Sequence, residues 1–186
     1  MNMFNYKKVK NFLESDFVDF IQDYFVLKTN VNIDSSEKEN DFSKYFHYSD
    51  FLIETILNNS TDAIKQIVEM DLVPSYSYSG LYTKGDEIFI HKNKPSEIIE
   101  CFLFLGSFNG KDKIFLSEND NGSNHIEFEM EVGDLLIFNG HKYWHWIEPL
   151  KEEWSLRSFL YFVENKEDNE NLFYDGRPYL GFPKNP

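Results

Sequence analysis

Apolar positions change their spacing part-way along this chain. In "SDFVDFIQDYFVLK" the residues Phe17, Phe20, Ile21, Tyr24 and Phe25 recur at helical spacing, with Ser15 as an N-cap and acidic residues in the first turn. The polar, acidic stretch "TNVNIDSSEKENDFSK" follows and reads as an exposed loop. "SDFLIETILNN" and "STDAIKQIVEM" predict two more helices, opened by Ser49 and by Ser60 or Thr61. Pro74 marks the switch to strands.

Beyond it the period is two. "YSYSGLY" sets Tyr76, Tyr78, Gly80 and Tyr82 on one face and Ser77, Ser79 and Leu81 on the other. Further strands are predicted over 87–91, 98–105, 113–116, 125–128, 134–138, 143–147 and 156–163. "IIECFLFLG" is apolar on both faces apart from Glu100, which predicts a central strand. Turn clusters such as "NGKD", "ENDNGSN" and "EVGD" punctuate the run. About eight short strands behind a helical lead-in predict a mainly β fold with a helical N-terminal third (α+β). The expected form is an antiparallel sandwich or jelly roll with helices packed on one sheet. The chain is expected to form a single domain over 1–186, with 1–72 as helical support, 73–165 as β core and 166–186 as a C-terminal tail.

Composition adds exclusions. Eighteen basic against 32 acidic residues give a net charge of −14, a field that repels phosphate backbones and argues against nucleic acid as a partner. Nineteen Phe, 11 Tyr and three Trp imply an aromatic core or pocket lining. Cys101, the lone cysteine, rules out an internal disulfide and a cysteine-based zinc site, and reads as a small buried hydrophobe. No apolar run reaches membrane-spanning length and "MNMFNYKKVKNF" lacks a signal-peptide core, so a cytoplasmic location is expected, in a bacterium or in the host of a virus or phage.

The candidate chemistry lies in histidines. Residues i and i+2 of a strand point the same way with Cα atoms about 6.5 Å apart, so both can reach one metal. His91 and Asn93 have this relation in "FIHKNKPS", and His145 in "NGHKYWHWIEPL" is the best candidate for a second imidazole arriving from a distant strand. Two imidazoles and a carboxylate on one face of Fe(II) leave positions open for an oxo-acid and oxygen, but Asn93 stands where that chemistry wants the carboxylate. His141 shares parity with His145, although a turn after Gly140 suits it better; His47 and His125 have no partner pattern.

Two longer blocks extend the pattern. "YSYSGLYTKGDEIFIHKNKPS" and "GDLLIFNGHKYWHWIEP" stand in order, with the ending "FYDGRPYLGFP" and the lead-in "YSDFLIETIL". In these the chain resembles the prolyl-4-hydroxylase-like Fe(II)/2-oxoglutarate dioxygenases, particularly small stand-alone bacterial and viral members. The resemblance implies a double-stranded β-helix of the jelly-roll, cupin-like kind. It implies Fe(II) and 2-oxoglutarate as cofactors, with ascorbate as an accessory, and hydroxylation of a peptide side chain or small metabolite. Carried over by position, His91 and His145 match the metal histidines, with Asn93 in the third ligand position. Tyr82 matches the tyrosine at the 2-oxoglutarate tail, and Arg157 is the basic residue placed to grip the far carboxylate. Trp144, Trp146, Tyr76 and Tyr78 are candidates for the pocket mouth.

The departures from that family cluster at the site: Asn93 for the carboxylate, Lys94 and Ile147 for arginines, and Gly80 for a basic residue. Loss of an anionic ligand weakens a hard divalent ion's binding. Three outcomes are open: Asn93 still ligates, another ligand fills the gap, or the domain is a catalytically degenerate module that binds a protein partner through the old pocket or the acidic loop. A jelly roll with purely structural duty is a third function class.

Overall fold

The structure, a computed structural model, describes residues 4–35 and 45–182. Two antiparallel sheets face one another without closing into a barrel. The larger contains β1 (Tyr6–Val9), β8 (Leu135–Asn139), β5 (Ile99–Ser107), β10 (Trp154–Glu164), β3 (Leu72–Thr83) and β2 (Phe46–Tyr48), in that order. The smaller runs β4 (Ile88–His91), β9 (Trp144–Ile147), β6 (Lys111–Ser117) and β7 (Ile126–Glu131). Helices α1 (Ser15–Ser35) and α2 (Phe51–Val68) cover the outer face of the larger sheet, and a 3-10 segment, Glu167–Gly176, follows β10.

Strand parity assigns each side chain to one of two apolar layers. In β5, Ile99, Cys101, Leu103 and Leu105 face the helices and pack with Val18, Ile21 and Phe25 of α1 and with Ile53, Leu57 and Ile64 of α2. Phe102 and Phe104 of the same strand face the other way, into the layer between the sheets with Leu136, Phe138, Leu116 and Phe159. Every residue of β5 is buried, as its sequence, apolar on both faces apart from Glu100, predicts for a central strand, and it lies between β8 and β10. Glu100 shares the parity of Phe102 and therefore points between the sheets.

The elements differ from their sequence reading in five places. The expected pair of helices after Ser49 is one continuous helix, because Ser60 and Thr61 return their hydroxyls to the Ile56 and Leu57 carbonyls rather than capping a new start. Its N-cap is Asp50, whose Oδ1 accepts from the Leu52 and Ile53 amides, while Ser49 occupies the left-handed region at φ 52°. Helix α1 continues through Ser35, so the first part of the expected loop is helical and 36–44 lies outside the described residues. In α1 it is Val18, Ile21 and Phe25 that turn inward, while Phe17 and Phe20 stack on each other in solvent at 6.2 Å. Finally, β1 and β2 are short edge strands inside the helical third that periodicity did not reveal.

Candidate active site

Strand β4 ends at His91, and β9 begins one residue before His145. Antiparallel pairing makes these two residues direct Cα partners. Their rings lie 4.1 Å apart, centroid to centroid, with 55° between planes. Each ring is held the same way. His91 Nδ1 sits 2.8 Å from the Phe89 carbonyl and His145 Nδ1 sits 3.4 Å from the Tyr143 carbonyl, each two residues back along its own strand. A carbonyl only accepts, so each neutral imidazole carries its hydrogen on Nδ1 and presents the Nε2 lone pair. His145 is neutral at any ordinary pH, since burial, then the neighbouring His91, pushes its pKa down to about 3. The ring edge packs against Phe138 at 5.0 Å.

Glu100 of β5 reaches the same point from the opposite sheet. It is 1% exposed, and its Oε2 lies 3.3 Å from His145 Nε2. Burial raises its pKa to about 8, against the opposing pull of a hydrogen bond from Asn93. Sequence reading placed no function on Glu100; the available signal was a single charge in an otherwise apolar central strand.

Asn93 enters from the loop after β4. Its Nδ2 donates to Glu100 Oε2 at 2.6 Å and to the Glu97 carbonyl at 3.1 Å. Two acceptors fix the amide's orientation, so Oδ1 points away from both. That oxygen is buried and has no partner among the described residues. The loop is held by the Asn93 amide donating to the Gly140 carbonyl, and by Glu97, which accepts from the Tyr76 hydroxyl and the Lys94 amide. Gly140 allows this approach: a Cβ there would collide with the Asn93 amide and lie 2.8 Å from the Glu97 carbonyl.

His91, His145 and Glu100 line a cavity of about 180 Å³ between the sheets, walled also by Tyr78, Tyr82, Ile114, Phe159 and Tyr161. Tyr82 is buried, and the Arg157 guanidinium stacks over its ring at 4.4 Å. Arg157 has no exposed surface, and its bidentate carboxylate partner is internal. Nε and Nη2 donate to Asp112 of β6 at 2.6 and 3.2 Å, and Nη1 is left buried with no partner among the described residues.

The structure thus brings His91, His145, Tyr82 and Glu100 to one cavity, with Asn93 behind Glu100 as its hydrogen-bond donor; Arg157, stacked on Tyr82, lines a separate pocket with Asp112 rather than this cavity. Of the proposed mouth aromatics, Trp146 and Tyr78 line the cavity, whereas Tyr76 stacks on Tyr161 at 4.6 Å and Trp144 meets the Lys92 ammonium at 5.5 Å. Ile147, where an arginine was expected, is buried and lines the cavity. Gly80 has no room for a side chain, because the Phe46 ring lies 2.5 Å from where its Cβ would be. His141 occupies the turn after β8 and bonds the Lys94 carbonyl through Nε2 at 2.9 Å; His47 packs near Phe25 and His125 against Phe115, away from the paired imidazoles.

The donor chemistry fits a divalent metal. Two imidazoles are anchored to backbone through Nδ1, with His145 Nε2 3.3 Å from Glu100 Oε2, and ligating histidines characteristically donate their other ring N–H in this way. Among the described residues, no group of three or more His, Cys, Asp or Glu side chains is placed to hold a metal ion as it stands. The exposed His91 ring is the open side; Glu100 and His145 are buried together.

No family model matches the sequence, and no curated protein matches it. Solved structures do. AviO1 from Streptomyces viridochromogenes Tue57 superposes with a TM-score of 0.67 at 11% identity, covering 88% of this chain and 91% of its own. A Pseudomonas putida prolyl-4-hydroxylase gives 0.61 at 14%, covering 88% and 94%. HygX from Streptomyces hygroscopicus, solved with nickel and 2-oxoglutarate bound, gives 0.62 at 9%, covering 94% and 92%. At such identities the likeness is one of fold: this chain has the double-stranded β-helix of 2-oxoglutarate oxygenases, with its helices on the larger sheet.

Proposed function

We propose that this protein is an Fe(II)/2-oxoglutarate-dependent oxygenase acting on a small molecule or a peptide side chain. One observation carries the reading. Two imidazoles from separate strands are opposed in register, each with Nδ1 tied to backbone, and both line one cavity together with Glu100, which faces His145 Nε2 at 3.3 Å. The fold neighbours support the same cofactors: HygX has been solved with iron and with 2-oxoglutarate, and the prolyl-4-hydroxylase shares the topology.

When bound, iron and 2-oxoglutarate supply oxygen activation coupled to oxidation of the keto acid, and so insertion of oxygen into a C–H bond. The chain does the rest. His91 and His145 would hold the ion through Nε2, with Glu100 and Asn93 beside it. The Tyr82 hydroxyl is the donor for the far carboxylate, with the Arg157 guanidinium stacked on its ring and held there by Asp112. Phe159, Tyr161 and Ile114 line the cavity and exclude water from the reacting atoms.

The test is anaerobic addition of Fe(II) and 2-oxoglutarate to the purified protein. A weak visible charge-transfer band, absent with either component alone and lost in His145→Ala, is the expected result. Calorimetry showing no binding of either component would remove the oxygenase reading and leave a binding module of the same fold.

A further inference from the structure

Position 93 lacks a carboxylate, yet a carboxylate stands in the site. We propose that Glu100 supplies the anionic ligand, so that the metal set is His91, His145 and Glu100, with Asn93 as a positioning residue. The inference rests on the functional reading above and concerns which side chain completes its metal site.

Three observations carry it. The first is distance. Two donors bound about 2.1 Å from one ion at right angles lie about 3 Å apart. Glu100 Oε2 and His145 Nε2, 3.3 Å apart, already have the separation of adjacent ligands. The second is the orientation of Asn93. Its NH2 group faces Glu100 Oε2 and the Glu97 carbonyl, so ligation through Oδ1 would require breaking both hydrogen bonds and turning the amide over. The amide donor instead aims the Glu100 carboxylate at His145, as partners of ligating carboxylates do. The third is topological. Glu100 is the only charged residue of β5, a strand otherwise made of apolar residues, Gly106 and a terminal Ser107, and it lines the cavity that holds both histidines. His91 is the third member; its ring is exposed, and the three side chains must draw together to close on an ion.

The arrangement also explains the asparagine. An aspartate at 93 would place a second carboxylate where the amide nitrogen now lies, 2.6 Å from Glu100 Oε2, and two such groups cannot both ionise without a large penalty. Asn93 and Glu100 therefore exchange the roles that a strand His-x-carboxylate pair would assign.

The experiment uses the full chain and Co(II) as probe, read by calorimetry and by its visible d–d bands. Wild type is expected to bind one equivalent, and His145→Ala to abolish binding. Glu100→Gln, isosteric and checked for folding by circular dichroism, is expected to weaken Co(II) by at least about 10–100-fold and to change the band pattern. Asn93→Ala is expected to lower affinity while keeping the band positions, as befits a residue that aims a ligand. Asn93→Asp is expected to bring no gain; it decides the question should Glu100→Gln fail to fold. Wild-type affinity and bands in Glu100→Gln, or a tenfold gain in Asn93→Asp, would overturn the proposal while leaving the oxygenase reading intact. Failure of wild type to bind Co(II), or unchanged binding in His145→Ala, would overturn both.

Discussion

Arg157 is fully buried and two of its guanidinium nitrogens are committed to the Asp112 carboxylate. Ser155 adds a third contact, donating to Asp112 Oδ2 at 2.7 Å while accepting from Arg157 Nε at 3.1 Å. Removing one member of such a pair strands the other without water, a loss of about 3–5 kcal/mol, whereas replacing both by apolar groups is close to neutral. Asp112→Ala is therefore expected to lower unfolding free energy by about that amount in urea titrations, and Asp112→Leu with Arg157→Leu to recover most of it. A double variant as unstable as the single one would show that the pair is not what Asp112 contributes. The inward direction of Arg157 was legible, since it shares parity with Phe159 and Tyr161. Its partner was not: Asp112 lies 45 residues earlier, and the alternation of "KDKIFLS" gives no sign of which acid a distant guanidinium will meet. Asn93 poses the same difficulty. A single sequence shows that position 93 lacks a charge, but only the facing of β5 toward β9 across the interior shows that Glu100 stands beside it.

At the scale of the element, Asp50 joins the two helices. Its Oδ1 caps α2, while its Oδ2 accepts from the Tyr24 hydroxyl at 2.8 Å and from the Lys28 ammonium of α1. Burial pushes this carboxyl up, but the Lys28 and Tyr24 hydrogen bonds and the Lys28 charge outweigh it and hold the pKa below the ordinary 3.8. A carboxyl depressed in the folded state contributes stability above its unfolded value, and that contribution fades as pH falls below about 3.8 toward the folded value. Asp50→Asn keeps a capping oxygen and removes the charge. It is expected to be less stable than wild type at neutral pH and to lose less stability between pH 4 and 2, measured by thermal melts across that range. Parallel acid curves for the two proteins would assign the acid sensitivity elsewhere. The helices themselves were legible because α2 keeps a continuous apolar stripe, Ile53, Leu57, Ile64 and Val68. Its continuity was not, because Ser60 and Thr61 are start signals by residue type and become interior residues once the backbone ahead of them is already helical. The eight core strands followed from period-two alternation; β1, four residues at a sheet edge, has too little alternation to be distinguished from coil.

For the whole molecule, the candidate site exists only once the sheets have formed. His91 and His145 lie on β4 and β9, strands adjacent in the smaller sheet but separated in sequence by four others, and Glu100 comes from the larger sheet. No unfolded chain holds these three together, so an ion bound by them binds the folded state alone, and its binding energy adds to folding stability. At an ion concentration of about 100 Kd the added stability is about 2.7 kcal/mol. For a chain of 186 residues that corresponds to a rise in Tm of about 5–10 °C. The net charge of −14 attracts divalent ions to the surface as well, but that diffuse attraction is screened over about 3–5 Å near 0.5–1 M salt, while a buried site is not. Melts in 0.5 M NaCl with Mn(II) or Co(II) should therefore show the rise, a chelator should reverse it, and His145→Ala should lack it. An equal rise in His145→Ala would place the ion on the acidic surface, and the paired imidazoles would then owe their geometry to packing between the sheets.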